Sequence, residues 1–165
     1  MRTNGMRHFI ATIAILALSA GAAQAAEGAW NQGPPAMDKP TEITVYRSPT
    51  CSCCGRWLKH MQKNGFVVKD IQTEDMDAIK KQHGVPENLQ SCHTALVGGY
   101  VVEGHVPAGD VADLLKNHPK AVGLTVPGMP AGTPGMEMGG RNDPFTVLEF
   151  DEQGKAKPFH EYRSY

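Results

Sequence analysis

Apolar and polar positions alternate with clear periods in the segments that precede and follow the first cysteines. TEITVYRS (41–48) alternates with a period of two, which is typical of a half-buried strand. GRWLKHMQKNG (55–65) places Trp57, Leu58 and Met61 at helical spacing. The pattern therefore predicts a strand followed by an amphipathic helix.

The same two periods predict the next elements of the chain. They indicate a strand at 66–73, a helix at 74–84, a loop at 85–93, a hairpin at 94–106 and a helix at 107–119. Gly98-Gly99 is a turn dipeptide between the two apolar runs of the hairpin. This order of elements predicts an α/β domain with a thioredoxin-like arrangement.

The C-terminal part of the chain changes character. Residues 120–144 are rich in Gly and Pro, and they carry several methionines. Residues 145–162 alternate around the turn sequence Asp-Glu-Gln-Gly, which predicts a second hairpin. We therefore predict one thioredoxin-like domain over residues 41–165, with an added Met-rich loop and a C-terminal β-hairpin.

The N-terminus has the features of a secretory signal peptide. Arg2 and Arg7 precede a short apolar run, which closes on an A-x-A pattern at Ala23–Ala25. The run is too short for a permanent membrane span, so we expect cleavage, no stable membrane insertion and a periplasmic location in a bacterium. Residues 1–25 are the predicted signal peptide, and residues 26–40 are predicted to be a flexible lead-in.

Charge excludes one class of partner. The chain has 16 Lys and Arg against 17 Asp and Glu, a formal net charge of −1. It therefore lacks the basic field that attracts nucleic acid. An oxidising periplasm would lead thiols either to pair or to bind metal.

Three of the four cysteines fall close together after the first predicted strand. SPTCSCCGRW (48–57) contains Cys51, Cys53 and Cys54. Cys51 and Cys54 have C-x-x-C spacing at a strand-to-helix junction, where the helix dipole lowers a thiol pKa. A thiolate serves both thiol exchange and metal binding, so the spacing alone leaves both open.

Further features favour metal. Cys53 adds a third thiol, which would compete with a simple dithiol pair. Cys92 stands before the third predicted strand, where thioredoxin relatives have a cis-proline, and no proline occurs between Glu87 and Pro107. Thiolate and thioether sulfur together are ligands that favour Cu(I).

Methionines and histidines extend the predicted ligand set. The candidate metal ligands are Cys51, Cys53, Cys54, Cys92, His93, His105, Met129, Met136 and Met138. The remaining histidines of the mature chain are predicted to be exposed and are given no role: His60, His83, His118 and His160. We expect copper, as several Cu(I) ions, to be the bound metal.

Other interpretations of the cysteines remain open. Structural disulfides would pair Cys51 with Cys54 and Cys53 with Cys92. A thiol–disulfide oxidoreductase would use Cys51 and Cys54 alone, and four cysteines could also close around one zinc ion. Adjacent Cys53 and Cys54 point in different directions, which suits bridging of several ions better. A copper chaperone that delivers to a periplasmic partner or an export pump is a further alternative.

The motifs also resemble a known family. The C-x-C-C sequence, the later SCHT, and PGMP at Pro127–Pro130 followed by GMEM at Gly135–Met138 are similar to those of CopG-type periplasmic copper-resistance proteins. The resemblance covers roughly residues 41–162. It implies a thioredoxin-like fold, a cysteine-held copper cluster, a role in copper resistance and an oxidoreductase activity that interconverts Cu(I) and Cu(II).

Overall fold

The computed structural model describes Trp30, residues 35–137 and residues 139–165. The predicted signal peptide, residues 26–29 and 31–34 of the lead-in, and Met138 lie outside the described residues. Among the described residues there are seven strands, three α-helices and a short 3-10 turn at Glu87–Leu89.

The elements follow the predicted order, with one additional strand, Gly123–Thr125. They are β1 (Thr41–Arg47), α1 (Ser52–Lys63), β2 (Phe66–Gln72), α2 (Met76–Gln82), β3 (His93–Val97), β4 (Tyr100–Glu103), α3 (Ala108–Asn117), β5 (Gly123–Thr125), β6 (Phe145–Phe150) and β7 (Ala156–Tyr162).

Two differences from the sequence prediction affect the candidate site. Helix α1 begins at Ser52 instead of residue 55, because its first turn holds the cysteines and has no apolar pattern of its own. Strand β5 lies within the predicted loop 120–144. Its three residues are too few to show a period, and the first of them is Gly123.

All seven strands form one sheet in the order β2-β1-β3-β4-β5-β6-β7. β1 pairs with β2 and β4 with β5 in parallel, whereas the other neighbours are antiparallel. β5 is therefore the strand that joins the C-terminal hairpin to the rest of the sheet.

Apolar side chains cover both faces of the sheet. Val102 belongs to the large cluster that includes Trp57 of α1 and Val111 of α3, whereas its neighbour Val101 belongs to a smaller cluster with Leu89. Successive strand residues point to opposite faces, so the sheet separates α1 and α3 from the segment after α2.

Trp30 of the predicted lead-in packs against the C-terminal hairpin. Its ring lies 4.9 Å from that of Tyr162 and 4.8 Å from that of Tyr165 between centroids. Its indole N–H donates a hydrogen bond to the Gly132 carbonyl over 2.7 Å. The lead-in thus contributes a packed side chain to this end of the molecule.

In the part of the chain that the structure describes, no helix combines the length and apolar character needed to cross a membrane.

Candidate metal centre

The N-terminus of α1 carries three of the cysteines. Cys51 is the N-cap residue, and Cys53 and Cys54 lie in the first turn. Cys51 and Cys54 are joined in a disulfide. Cys53 is not in a disulfide, and its Sγ lies 3.5 Å from that of Cys51. The C-x-x-C pair is therefore oxidised, with a third sulfur beside it.

Cys92 completes a group of four sulfurs. β1 pairs with β3 so that Arg47 lies opposite His93, which brings the end of β1 and the start of β3 together. The four Sγ atoms all lie within 4.8 Å of one another. Cys92 is not in a disulfide, so the structure contains one of the two bridges of the structural interpretation.

Two histidines meet the Cys92 sulfur. His105 Nε2 lies 3.0 Å from Cys92 Sγ, and His93 Nδ1 lies 3.3 Å from the same atom. One ligand atom from each of the three residues falls within 4.8 Å of the others. The sulfur group thus continues into a group of one sulfur and two imidazole nitrogens.

The orientation of His105 is fixed from its other side. His105 Nδ1 lies 2.7 Å from the Pro134 carbonyl oxygen, so Nδ1 carries the hydrogen and donates it. In the neutral ring Nε2 then keeps its lone pair, which faces Cys92. A carbonyl that sets the tautomer in this way is the usual partner of a metal-binding histidine.

Burial determines the ionisation of these side chains. It lowers the pKa of His105 to about 4, and it lowers that of His93 well below the ordinary value. Both rings are therefore neutral at pH 7 and can donate lone pairs. Burial and the neighbouring Cys53 raise the pKa of Cys92 to about 12, so a metal ion that binds this sulfur must displace its proton.

His93 provides a test of whether copper fits here. Its ring is fully buried and lies 4.4 Å from that of Trp57 between centroids. Its Nε2 is buried without a hydrogen-bond partner among the described residues. Its Nδ1, by contrast, lies 3.3 Å from Cys92 Sγ, and a neutral imidazole nitrogen next to cysteine sulfur is a donor set that fits a soft metal such as Cu(I).

The Met-rich loop is packed against the same region. Gly135 has φ +84°, and a Cβ there would lie 2.6 Å from the Trp57 nitrogen and 2.9 Å from the Cys53 carbonyl oxygen. Arg56 Nε donates to the Gly135 carbonyl over 2.8 Å. Only glycine allows this approach, which places the loop directly on the first turn of α1.

The three methionines differ in position. Met129 is exposed at 54%, and Met136 is half-buried. Met138 lies outside the described residues. The predicted thioether ligands are therefore not equivalent, because Met129 faces solvent.

His60 is a correction to the sequence prediction. It is 4% exposed, and its Nε2 accepts a hydrogen bond from the Ala108 backbone N–H over 3.0 Å at the start of α3. Its position four residues before Asn64, near the predicted end of α1, indicated an exposed ring. The signal that could have corrected this is its place three residues after Trp57, on the apolar face.

The chain is similar to a protein family and to solved structures. A family model described as protein of unknown function, DUF411, matches residues 89–136. Two solved structures of a copper resistance protein copG are similar at 46% sequence identity. Form 1 covers 76% of this chain and 99% of its own, with a TM-score of 0.72. Form 2 covers 74% and 98%, with a TM-score of 0.71. No curated protein matches the chain.

Proposed function

The chain belongs to the CopG family of copper resistance proteins, and on this premise we propose that it binds copper ions as cargo. The observation that carries the proposal is the convergence of four cysteine sulfurs within 4.8 Å. Reduction of the Cys51–Cys54 disulfide would make all four available as thiolates. Thiolates bridge and retain Cu(I), which would lower the concentration of free copper.

We propose that nitrogen and thioether ligands complete the coordination. His93 and His105 would bind on the Cys92 side, since their neutral rings face that sulfur. Met136 would contribute from the loop that contacts α1, and Met129 and Met138 would serve ions that enter or leave. The fitting donor set is sulfur with imidazole, which suits several Cu(I) ions.

Redox turnover is a further part of the proposal. Closing the Cys51–Cys54 disulfide releases two electrons and two protons from two thiols. Two electrons reduce two Cu(II) ions to Cu(I), so the reaction balances with copper as the oxidant. The Cys51–Cys54 disulfide at the N-terminus of α1 supports redox turnover because it is the product of such a step. In this role the protein would be a copper oxidoreductase.

The location and fold belong to the same proposal. We place the mature protein in the bacterial periplasm after removal of residues 1–25, where other copper-handling proteins or an export pump would be its partners. We assign a thioredoxin-like fold to β1 through α3. The parallel β1–β2 pair, the antiparallel β3–β4 hairpin and the cysteines at the start of α1 support it.

A thiol–disulfide oxidoreductase is the second candidate. The Cys51–Cys54 disulfide at a helix N-terminus favours it, since exchange enzymes have this pair in this place. Against it, the described residues contain no cis peptide bond opposite the pair, and Cys92 occupies that position. Reduction of insulin by the protein, with Cys53→Ser and Cys92→Ser fully active, would favour this candidate.

An anaerobic Cu(I) titration of the reduced mature protein against a competing chelator tests the main proposal. We expect the wild type to bind more than one ion, and Cys53→Ser to bind fewer. Ser52→Ala changes an exposed side chain in the same helical turn and should leave binding intact. Binding of at most one ion by the wild type, or undiminished binding by Cys53→Ser, would refute the proposal.

A further inference from the structure

A group of buried charged and polar side chains lies close to Cys92. It is on the face of the sheet opposite α1 and α3. Lys80 of α2 is 4% exposed, and Glu103 of β4 and Thr94 of β3 are fully buried. Lys80 Nζ lies 2.5 Å from Glu103 Oε1 and 3.2 Å from Thr94 Oγ1. Thr94 Oγ1 donates to Glu103 Oε2 over 2.7 Å. The three side chains therefore form one hydrogen-bonded unit.

Stability alone does not account for this unit. Removing two opposite charges from water is costly, and apolar side chains of similar size often replace a buried ion pair with no loss of stability. Leu96 and Val101 lie on the same two strands and belong to, or pack against, an apolar cluster. An apolar contact was therefore available at this place in the sheet.

The buried carboxylate holds the backbone of the segment that carries Cys92 and His93. Glu103 Oε1 accepts a hydrogen bond from the Ser91 backbone N–H over 2.7 Å. Ser91 and Thr94 immediately flank Cys92 and His93, and both donate to the same carboxylate. The segment is thus fixed at both of its ends by one side chain.

Ser91 also connects this unit to the Met-rich loop. Its hydroxyl donates to the Gly128 carbonyl, and the Gly128 N–H donates to the Gln90 carbonyl over 3.2 Å. Glu103 is the last residue of β4, and His105 follows it by two residues. A shift of Glu103 would therefore change the spacing of Cys92, His93 and His105 together.

We propose that Glu103 and Lys80 are positioning residues for the Cys92 side of the metal centre. Glu103 fixes Ser91 and Thr94, and Lys80 fixes Glu103 from α2. They touch no metal ion and act through the backbone on either side of Cys92 and His93. The inference rests on the proposed copper binding for its functional consequence, and the geometry of the Cys92 segment can be tested without copper.

The first experiment replaces the whole unit by apolar side chains. The variant Lys80→Met/Thr94→Val/Glu103→Leu leaves no buried charge unpaired, so it is designed to remain folded. We expect its Cu(I) affinity to fall about 10- to 100-fold, the usual effect of losing an outer-shell partner of a metal ligand. The control is Glu149→Leu/Lys157→Met, which removes the cross-strand ion pair of the C-terminal hairpin and should bind as the wild type.

The second measurement needs no copper. In the disulfide form only Cys53 and Cys92 are thiols, so their alkylation rates can be compared within one molecule by peptide mass spectrometry. We expect the apolar variant to be alkylated several-fold faster at Cys92 while the Cys53 rate stays constant, since only the segment of Cys92 is released. Glu103→Gln tests the same point if the apolar variant does not fold, with a smaller change in the same direction.

The two measurements separate the possible failures. If the wild type binds no copper, the proposed function fails and the alkylation ratio alone decides the positioning role. Wild-type copper affinity in the folded apolar variant would overturn the inference, and so would an unchanged ratio of Cys92 to Cys53 alkylation. Weaker copper binding together with faster alkylation at Cys92 would support it.

Discussion

His105 Nε2 lies 3.0 Å from Cys92 Sγ although 13 residues separate them in the chain. The β3–β4 hairpin places them together, because Thr94 pairs with Glu103 and each ligand lies two residues beyond its end of that pair. The Pro134 carbonyl then fixes the ring so that its free nitrogen faces the sulfur. Cys92 Sγ and His105 Nε2 therefore lie close enough to bind the same metal ion.

Replacing His105 should weaken copper binding. We expect His105→Ala to lower the Cu(I) affinity of the reduced protein by more than about tenfold, the lower end of what loss of an outer-shell partner costs. Competition with a chelator measures the change. His118→Asn, an exposed histidine at the end of α3, is the control and should keep the wild-type affinity. Equal affinity in both variants would remove His105 from the ligand set.

The redox state should set the number of reactive thiols. Protein purified without reductant should show two thiols on denaturation, since Cys51 and Cys54 are paired, and four after reduction. The oxidised form should bind fewer Cu(I) ions, because a disulfide offers no thiolate. Thiol titration and copper analysis of the same samples measure both. Four thiols before reduction would contradict the first expectation.

Stability should depend on pH through His60. Burial lowers the pKa of His60 from 6.5 to about 4. The unfolded chain therefore binds a proton in this range that the folded protein does not, so the free energy of unfolding is highest above pH 6.5 and falls towards pH 4. Between pH 8 and 5 this amounts to about 2 kcal/mol.

Urea denaturation of His60→Gln should therefore show a smaller loss over that interval than the wild type, by about 2 kcal/mol. Leu58→Ala also removes a buried group from α1 but keeps His60. It should lose stability with pH in parallel with the wild type. Parallel curves for His60→Gln and the wild type would show that another group is responsible.

The contact of Gly135 with α1 should be needed for copper retention. A Cβ at this position would clash with the first turn of the helix, so Gly135→Ala should displace the loop, lower stability and speed copper transfer to a chelator. Gly99→Ala is a matched control, with φ +86° against +84° and no atom within 4 Å of the added Cβ. Both share a left-handed strain of about 1–2 kcal/mol, so any further change in Gly135→Ala reports the lost contact.

Most secondary structure could be predicted because it follows from local periodicity. The alternation of residues 41–48 and the helical spacing of Trp57, Leu58 and Met61 were sufficient for β1 and for most of α1. Strand β5 was missed because its pairing with β4 and β6 is made by distant residues. A segment of three residues has too little pattern to reveal such partners.

The candidate site was predictable in part. The sulfur cluster followed from the spacing of Cys51, Cys53 and Cys54 and from the place of Cys92 before β3. The Cys51–Cys54 disulfide was an open alternative and not the main prediction, and the burial of His60 and the Lys80–Glu103 pair were not predicted. The last two depend on side chains that meet across elements far apart in the sequence, whereas C-x-x-C spacing is compatible with both a disulfide and two thiols.

The sequence by itself determined which atoms this protein can offer a metal: four sulfurs, three of them within one helical turn, and a loop of methionines. It also determined the order of the helices and of every strand except β5, because local periodicity and turn residues specify them. Tertiary structure alone decided that the ligand atoms of Cys92, His93 and His105 lie within 4.8 Å of one another. It also decided that Glu103 holds the segment before Cys92 through the Ser91 backbone N–H. Strand register and burial set those distances, and both arise only when distant parts of the chain pack together.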